Sequence, residues 1–304
     1  MYTLEINKAR KAYDKFLAVN DISFNIVQGT MFGLLGPNGA GKTSTIRMMI
    51  GITMPDSGEI RMFGQPFHRE LLKRVGYLPE ERGLYQKMRI LEQLIFLGEI
   101  HGLSQVEAKK RANAWGERLE IADAFQKKTN ELSKGMQQKI QFIATLLHEP
   151  EFIIMDEPFA GLDPVNNRLL EDVLIDLRKQ GRTVLFSTHR MDQVEKLCDS
   201  ICLVNKGEAV LNGELKQIKG RYGKNTVQIN FDGDNNGNAS YLKELPNVLS
   251  VDAYEGHVML KLAPGTDPQP LLRAVSERSR LTKFEVMEPS LEEIFIEVVG
   301  KTDA

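Results

Sequence analysis

Two groups of residues have the types and spacing to handle phosphate. Gly36-Pro37-Asn38-Gly39-Ala40-Gly41-Lys42-Thr43 fits G-x-x-x-x-G-K-[ST] at every position. Its glycines let the backbone close around a ligand and turn N–H groups inward, forming a nest for polyphosphate oxygens. Lys42 supplies a point charge for β and γ phosphates, and Thr43 offers a hydroxyl to Mg²⁺. The second group is Asp156-Glu157, which follows the apolar run Phe152-Ile153-Ile154-Met155. Two adjacent carboxylates at the end of a buried strand suit two tasks. Asp156 positions Mg²⁺ directly or through water, and Glu157 polarises an attacking water as general base. His189 ends Thr183-Val184-Leu185-Phe186-Ser187-Thr188, so it also sits at a strand's carboxyl end, where contact with a γ-phosphate is expected.

These residues need a particular scaffold. Thr30-Met31-Phe32-Gly33-Leu34-Leu35 reads as a buried strand ahead of the cradle, and Ser44 to Ile50 continues as a helix, the strand–loop–helix setting that a phosphate loop requires. Tyr2, Leu4 and Ile6 alternate with polar residues as a half-buried strand, and residues 22–26 repeat the pattern. Tyr13 lies in a turn region between them and, taken alone, reads as a surface tyrosine. From Met88 to about Glu149 the texture is helical, with Ile90, Leu94, Leu97 and Ile100 marking one face, so a helical subdomain of about residues 84–150 interrupts the α/β core. Inside it, Leu132-Ser133-Lys134-Gly135-Met136 starts an apolar-periodic helix. Ser133 and Gly135 then sit at a helix N-terminus that favours an anion, or Ser133 is a simple N-cap. Asp163-Pro164 starts another helix, with Val165, Leu169, Val173, Leu174 and Leu177 as its apolar positions and Gly181 as its end.

Composition restricts the classes of function. The chain has 304 residues, 42% hydrophobic and 26% charged, which suits a globular protein with a sizeable core. No apolar run reaches membrane-span length and the first residues lack a signal-peptide pattern, so the chain is expected to stay in the cytoplasm. A net charge of −2 argues against a general nucleic-acid footprint. Cys198 and Cys202 have no partners at zinc spacing and read as buried small hydrophobes. After a basic stretch ending near Lys224 the texture changes. Residues 221–304 carry a net −4 and the first 220 a net +2, which sets domains at 1–220 and 221–304. Strands over 226–231, 248–254, 257–262 and 281–287 and helices near 239–244, 270–278 and 290–299 give a β-α-β-β-α-β order, an α+β ferredoxin-like module. Asp232-Gly233-Asp234-Asn235-Asn236-Gly237 has no Glu at the twelfth position of a calcium loop and reads as a turn.

The order of cradle, helical insert, Ser-x-Gly helix start, acidic strand, Gly161-Leu162-Asp163 and His strand resembles the ATP-binding subunit of an ABC transporter over residues 1 to about 220. The resemblance implies an α/β P-loop NTPase core of ABC type that binds ATP and Mg²⁺. Gly36, Pro37, Asn38, Gly39, Ala40, Gly41, Lys42, Thr43 and Ser44 would hold the phosphates and Tyr13 would stack on adenine. Thr43, Asp156 and Glu80 would serve the metal, Glu80 at the Q-loop position. Glu157, His189 and Lys42 would be catalytic. Leu132 to Met136 would be the signature motif, whose Ser133 and Gly135 grip the γ-phosphate held by the other subunit, with Asp163 in the D-loop. Partners would be a second copy or a homologous ATPase, joined head to tail, and a membrane-spanning permease, with the pair peripheral on the cytoplasmic face of the membrane. Glu80 stands where Gln is usual and Leu-Ser-Lys-Gly-Met where Leu-Ser-Gly-Gly-Gln is common. Both variants occur in the sodium-efflux and drug-export type branch, and the acidic end Pro289-Ser290-Leu291-Glu292-Glu293-Ile294-Phe295 looks like that branch's accessory domain. The alternatives are a soluble ATPase of translation or DNA maintenance and a regulatory module that binds ATP without turnover. The paired cradles or long coiled coils of the first are not seen here, and the presence of Glu157 and His189 argues against the second.

Overall fold

The computed structural model describes residues 1–81, 83–222, 225–232 and 240–302, with side chains to residue 299. The chain forms two compact units, Met1–Gly213 and Glu214–Ala304. The boundary precedes residue 220 because the helix Leu215–Tyr222 belongs to the second unit, where it packs on the last helix.

In the first unit, β1 (Tyr2–Tyr13) and β2 (Phe16–Val27) form a bulged hairpin joined by β4 (Ser57–Met62) and β5 (Gln65–Pro66) in the order β2-β1-β4-β5. A second sheet runs β10-β9-β3-β8-β7-β6. Its central strands are β3 (Met31–Leu35), β7 (Phe152–Asp156) and β8 (Thr183–Thr188), every residue of which is buried, as strands covered on both faces must be. Toward the edges lie β6 (Val75–Leu78), β9 (Ser200–Asn205) and β10 (Glu208–Glu214). β3 runs parallel to β8 and β9, and β7 to β6 and β8. Register places Leu35 beside Thr188 and Asp156 beside Ser187, so three carboxyl ends open on one crevice, the usual ligand position in such sheets. The two sheets share a core in which Phe24 stacks on Phe32 at 5.1 Å.

The helical insert comprises α2 (Ile90–Ile100), α3 (Gln105–Arg118) and α4 (Lys134–Leu146). Ile90 and Leu94 are buried as expected, but Ile100 is 62% exposed. The inward face turns through Gly98 instead, where an added Cβ would stand 2.7 Å from that of Ala108. In α5 (Pro164–Lys179) the buried stripe is Leu170, Val173, Leu174 and Leu177, and Val165 points to solvent. The insert also meets β6 through stacked imidazoles. His101 and His148 lie 3.9 Å apart at 9°, and His148 Nε2 is 3.0 Å from the Val75 carbonyl oxygen. Burial, reinforced by His101, pushes the His148 pKa down to about 4.

The second unit begins with α7 (Leu215–Tyr222), which follows α6 (Met191–Leu197) in chain order. Its sheet comprises β11 (Thr226–Phe231), β12 (Val248–Tyr254), β13 (His257–Leu262) and β14 (Leu281–Met287), antiparallel in the order β12-β13-β11-β14. Alternation on β11 buries Val227, Ile229 and Phe231 with Leu271 and Val275 of α8 (Gln269–Arg278). Residues 240–242 are helical and the chain ends in α9 (Leu291–Thr302). This is the ferredoxin-like order expected from the sequence. The Asp232–Gly237 turn lies, from residue 233 onward, outside the described residues.

Candidate nucleotide site

The cradle leaves β3 at Gly36 and enters α1 (Lys42–Met49) after Gly41. Both glycines are obligatory on two grounds. Gly36 has φ 151° and Gly41 φ 108°, and an added Cβ would stand 2.2 Å from the Val204 carbonyl oxygen or 2.4 Å from that of Ala18. The loop is thus clamped between β9 and the β1–β2 hairpin. Further backbone bonds tie Gly207 N–H to the Ala40 oxygen at 2.9 Å and Asn20 N–H to the Gly207 oxygen at 2.7 Å.

Lys42 is only 6% exposed and donates to the carbonyl oxygens of Gly36 at 2.7 Å and Pro37 at 3.1 Å. Burial lowers its pKa, and the carboxylates of Glu157, Asp156 and Glu80 partly restore it. Residues 38–44 line a cavity of 350 Å³ together with Phe16, Ala18, Glu80, Asp156 and Glu157. One ammonium therefore shares this space with three carboxylates.

Asp156 is 1% exposed at the end of β7. Its Oδ2 accepts from Thr43 Oγ1 at 2.9 Å, and its Oδ1 accepts a short hydrogen bond from Ser187 Oγ. Glu157 takes a left-handed backbone, φ 50°, with its N–H shared between the Ser187 carbonyl and Oγ, both at 3.2 Å. Its Oε1 lies 2.9 Å from His189 Nδ1 and its Oε2 accepts from Thr188 Oγ1 at 3.3 Å. The Glu157 side chain is 12% exposed against 57% for His189, so the imidazole meets it from the solvent side.

The donor set fits Mg²⁺. Thr43 and Asp156 present hard oxygens side by side at a cavity wall. No cluster of three His, Cys, Asp or Glu capable of holding a metal occurs among the described residues, and Thr43 and Asp156 would supply two of the oxygens that Mg²⁺ takes. Nucleotide phosphates and water are the natural remainder.

The structure thus brings together the cradle, Asp156, Glu157, His189 and Glu80. Four sequence expectations lie elsewhere. Ser133 is exposed and caps α4, accepting from Met136 N–H at 3.3 Å. Asp163, also exposed, caps α5 through Val165 and Asn166 N–H groups, bonds that hold its pKa down. Gly135 stands beside Leu162, 3.5 Å from where its Cβ would be. None of these three lines the cradle cavity. Tyr13 is not among the cavity's lining residues. It pairs across the hairpin with Phe16, which does line the cavity. Phe16 and Ser187 were not singled out from sequence. Ser187 is a polar residue near the carboxyl end of an apolar strand, the same signal that drew attention to Asp156.

A parallel sheet whose strand–loop–helix cradle faces a strand-end Asp-Glu pair defines a P-loop nucleotide-binding protein. Comparison with known proteins narrows the class. Residues 19–160 match the family described as ABC transporter, and residues 213–299 match the C-terminal domain of ATP-binding protein DrrA1-3-like. The chain is 43% identical to the uncharacterized ABC transporter ATP-binding protein YhaQ of Bacillus subtilis (strain 168), over 98% of each chain. It is 30% identical to the Nod factor export ATP-binding protein I of Paraburkholderia xenovorans (strain LB400), over 98% of this chain and 97% of that one. A solved ATP-binding subunit of an ABC transporter superposes with a TM-score of 0.67 at 30% identity, covering 73% of this chain and 93% of that one. The chain belongs to the ATP-binding proteins of ABC transporters. Relatives matched along their whole length favour this reading over a soluble ATPase of translation or DNA maintenance.

Proposed function

We propose that this chain hydrolyses ATP as one half of a head-to-tail dimer and drives a separate membrane permease in export. The observation that carries the reading is the split of phosphate chemistry between two surfaces. The cradle, Asp156 and Glu157 share one cavity, while Ser133 and Asp163 are exposed outside it. A second copy would bring its Ser133 helix start to the open side of the cradle.

In this reading Lys42 releases its two carbonyl partners for phosphate oxygens, and residues 38–44 direct N–H groups at the same polyphosphate. Phe16 and its hairpin partner Tyr13 offer ring faces to the adenine. Thr43 and Asp156 would hold Mg²⁺, with Glu80 lining the same cavity, and the metal would supply neutralisation of phosphate charge. Glu157 accepts a proton from the attacking water, held in place by Thr188 and by the strained backbone that aims it at the cavity. His189 orients Glu157 and reaches toward the γ-phosphate.

The permease is the natural partner because no helix among the described residues is long and apolar enough to cross a membrane. The protein would then sit on the cytoplasmic face, bound through that partner. Export is supported by the similarity to the Nod factor export ATP-binding protein I. The test is Glu157→Gln in the purified protein. Hydrolysis should fall by about 10²–10⁴-fold, the usual contribution of a general base, while ATP binding persists and ATP-bound dimers accumulate. Turnover close to that of the unmodified protein would overturn the assignment.

A further inference from the structure

The helix that begins at Ser133 buries more polar groups than a core-facing helix needs. Gln138, Gln141 and Thr145 are 3%, 5% and 6% exposed, and steps of three and four residues place them on one face of α4. Each donates to a backbone carbonyl of a different segment. Gln138 Nε2 reaches the Pro158 oxygen at 3.0 Å, one residue past Glu157. Gln141 Nε2 reaches the Glu81 oxygen at 3.2 Å, one residue past Glu80. Thr145 Oγ1 reaches the Tyr77 oxygen at 3.3 Å, in β6, while also bonding the Gln141 carbonyl at 2.9 Å.

Packing alone does not explain these choices. A buried amide costs free energy unless its hydrogen bonds are made, and Gln141 Oε1 is buried without a partner. Leu or Met would fill the same space without that cost. What the amides add is direction, because each fixes α4 to one backbone atom of a loop that carries an acid of the cavity.

We infer that Gln138 and Gln141 are positioning residues that tie the Ser133 end of α4 to the loops bearing Glu157 and Glu80. The inference rests on the proposed function, in which Ser133 closes on phosphate held by the partner's cradle. At 1.5 Å rise per residue, the two glutamines lie about 8 and 12 Å along the helix axis from Ser133. A displacement of either acidic loop therefore moves the helix start as a rigid body. In the dimer this links one protomer's Glu157 loop to the nucleotide in the other site.

The test compares the full chain with Gln138→Met, Gln141→Met and the double variant, which keep side-chain volume and remove the donors. Losing one neutral hydrogen bond should lower kcat about fivefold per site, with KM for ATP within about twofold, because the cradle is untouched. The thermal midpoint of Gln141→Met should stay level, since its unsatisfied amide oxygen is removed with the donor, whereas Gln138→Met should lower it because the buried Pro158 carbonyl loses its donor. In the Glu157→Gln background the same variants should weaken ATP-driven dimerisation by a similar factor. Unchanged kcat in the double variant would overturn the inference, as would a loss of kcat in Gln141→Met that follows a fall in its own thermal midpoint. Should the double variant fail to fold, the single variants decide by the same criteria. Failure of Glu157→Gln to suppress hydrolysis would instead remove the proposed function.

Discussion

Glu157 occupies a backbone region that costs a non-glycine residue about 1–3 kcal/mol, and it does so between the two groups that hold its carboxylate, Thr188 and His189. The motif pair Asp156-Glu157 is legible in sequence because a buried strand rarely ends in two acids without a ligand. The groups that hold it are less so. Ser187 reaches Asp156 only because β7 and β8 run parallel in one register, a pairing that no local pattern encodes. Phe16 is hidden for a similar reason, since only the tertiary placement of the hairpin brings it to the wall of the cradle cavity. A ring stacked on a base is worth about 1–3 kcal/mol. Phe16→Ala and Tyr13→Ala should each weaken ATP affinity, and the double variant should weaken it further, with Mg²⁺-dependent kcat at saturating ATP little changed. Calorimetric titration with ATP checks this. Affinity unaltered in the double variant would leave the adenine without its proposed platform.

Among the elements, strands and helices with strong periodicity follow from sequence, including all four strands of the second unit. Which face of α2 and α5 turns inward does not, because Gly98 and Leu170 win their places by fit against neighbours and not by hydrophobicity. The junction of the helical insert with β6 supplies a measurable consequence. His148 has its folded pKa near 4, below the 6.5 of a free imidazole, so its neutral form stabilises the fold above pH 6.5. That contribution is lost as pH falls from 6.5 to 4. With the ring part-exposed, the loss should be about 1–2 kcal/mol and not the larger figure for a fully buried group. Urea midpoints measured across this range should fall with acid, and His148→Asn should flatten the slope. An unchanged slope would show that the stacked pair does not govern it. The Glu80 loop gives the second element-scale test. Glu80→Gln should change ATPase activity of the isolated protein modestly and coupling in the reconstituted transporter more. Equal effects would make Glu80 a ligand of the reaction and not a coupling element.

At the scale of the molecule, the cradle cavity and the exposed Ser133 and Asp163 belong to one chain, and neither residue lines that cavity. Nothing in the order of motifs states this. Sequence places the Ser133 helix start in the helical insert, and only the family resemblance assigns it to the phosphate of another subunit; the structure adds that neither Ser133 nor Asp163 lines its own chain's cradle cavity. Two copies in head-to-tail order would complete two sites, each with a cradle from one and a helix start from the other. Lys42→Ala removes the phosphate cation, and Ser133→Arg blocks the helix start with a bulky side chain, so each should be inactive alone. In a mixed dimer one interface carries both lesions and the other carries neither. The direct measurement is the stoichiometry of trapped ATP in a verified mixed dimer of these two proteins. The account predicts one ATP per dimer, well above either parent. No trapping above the parents would contradict it.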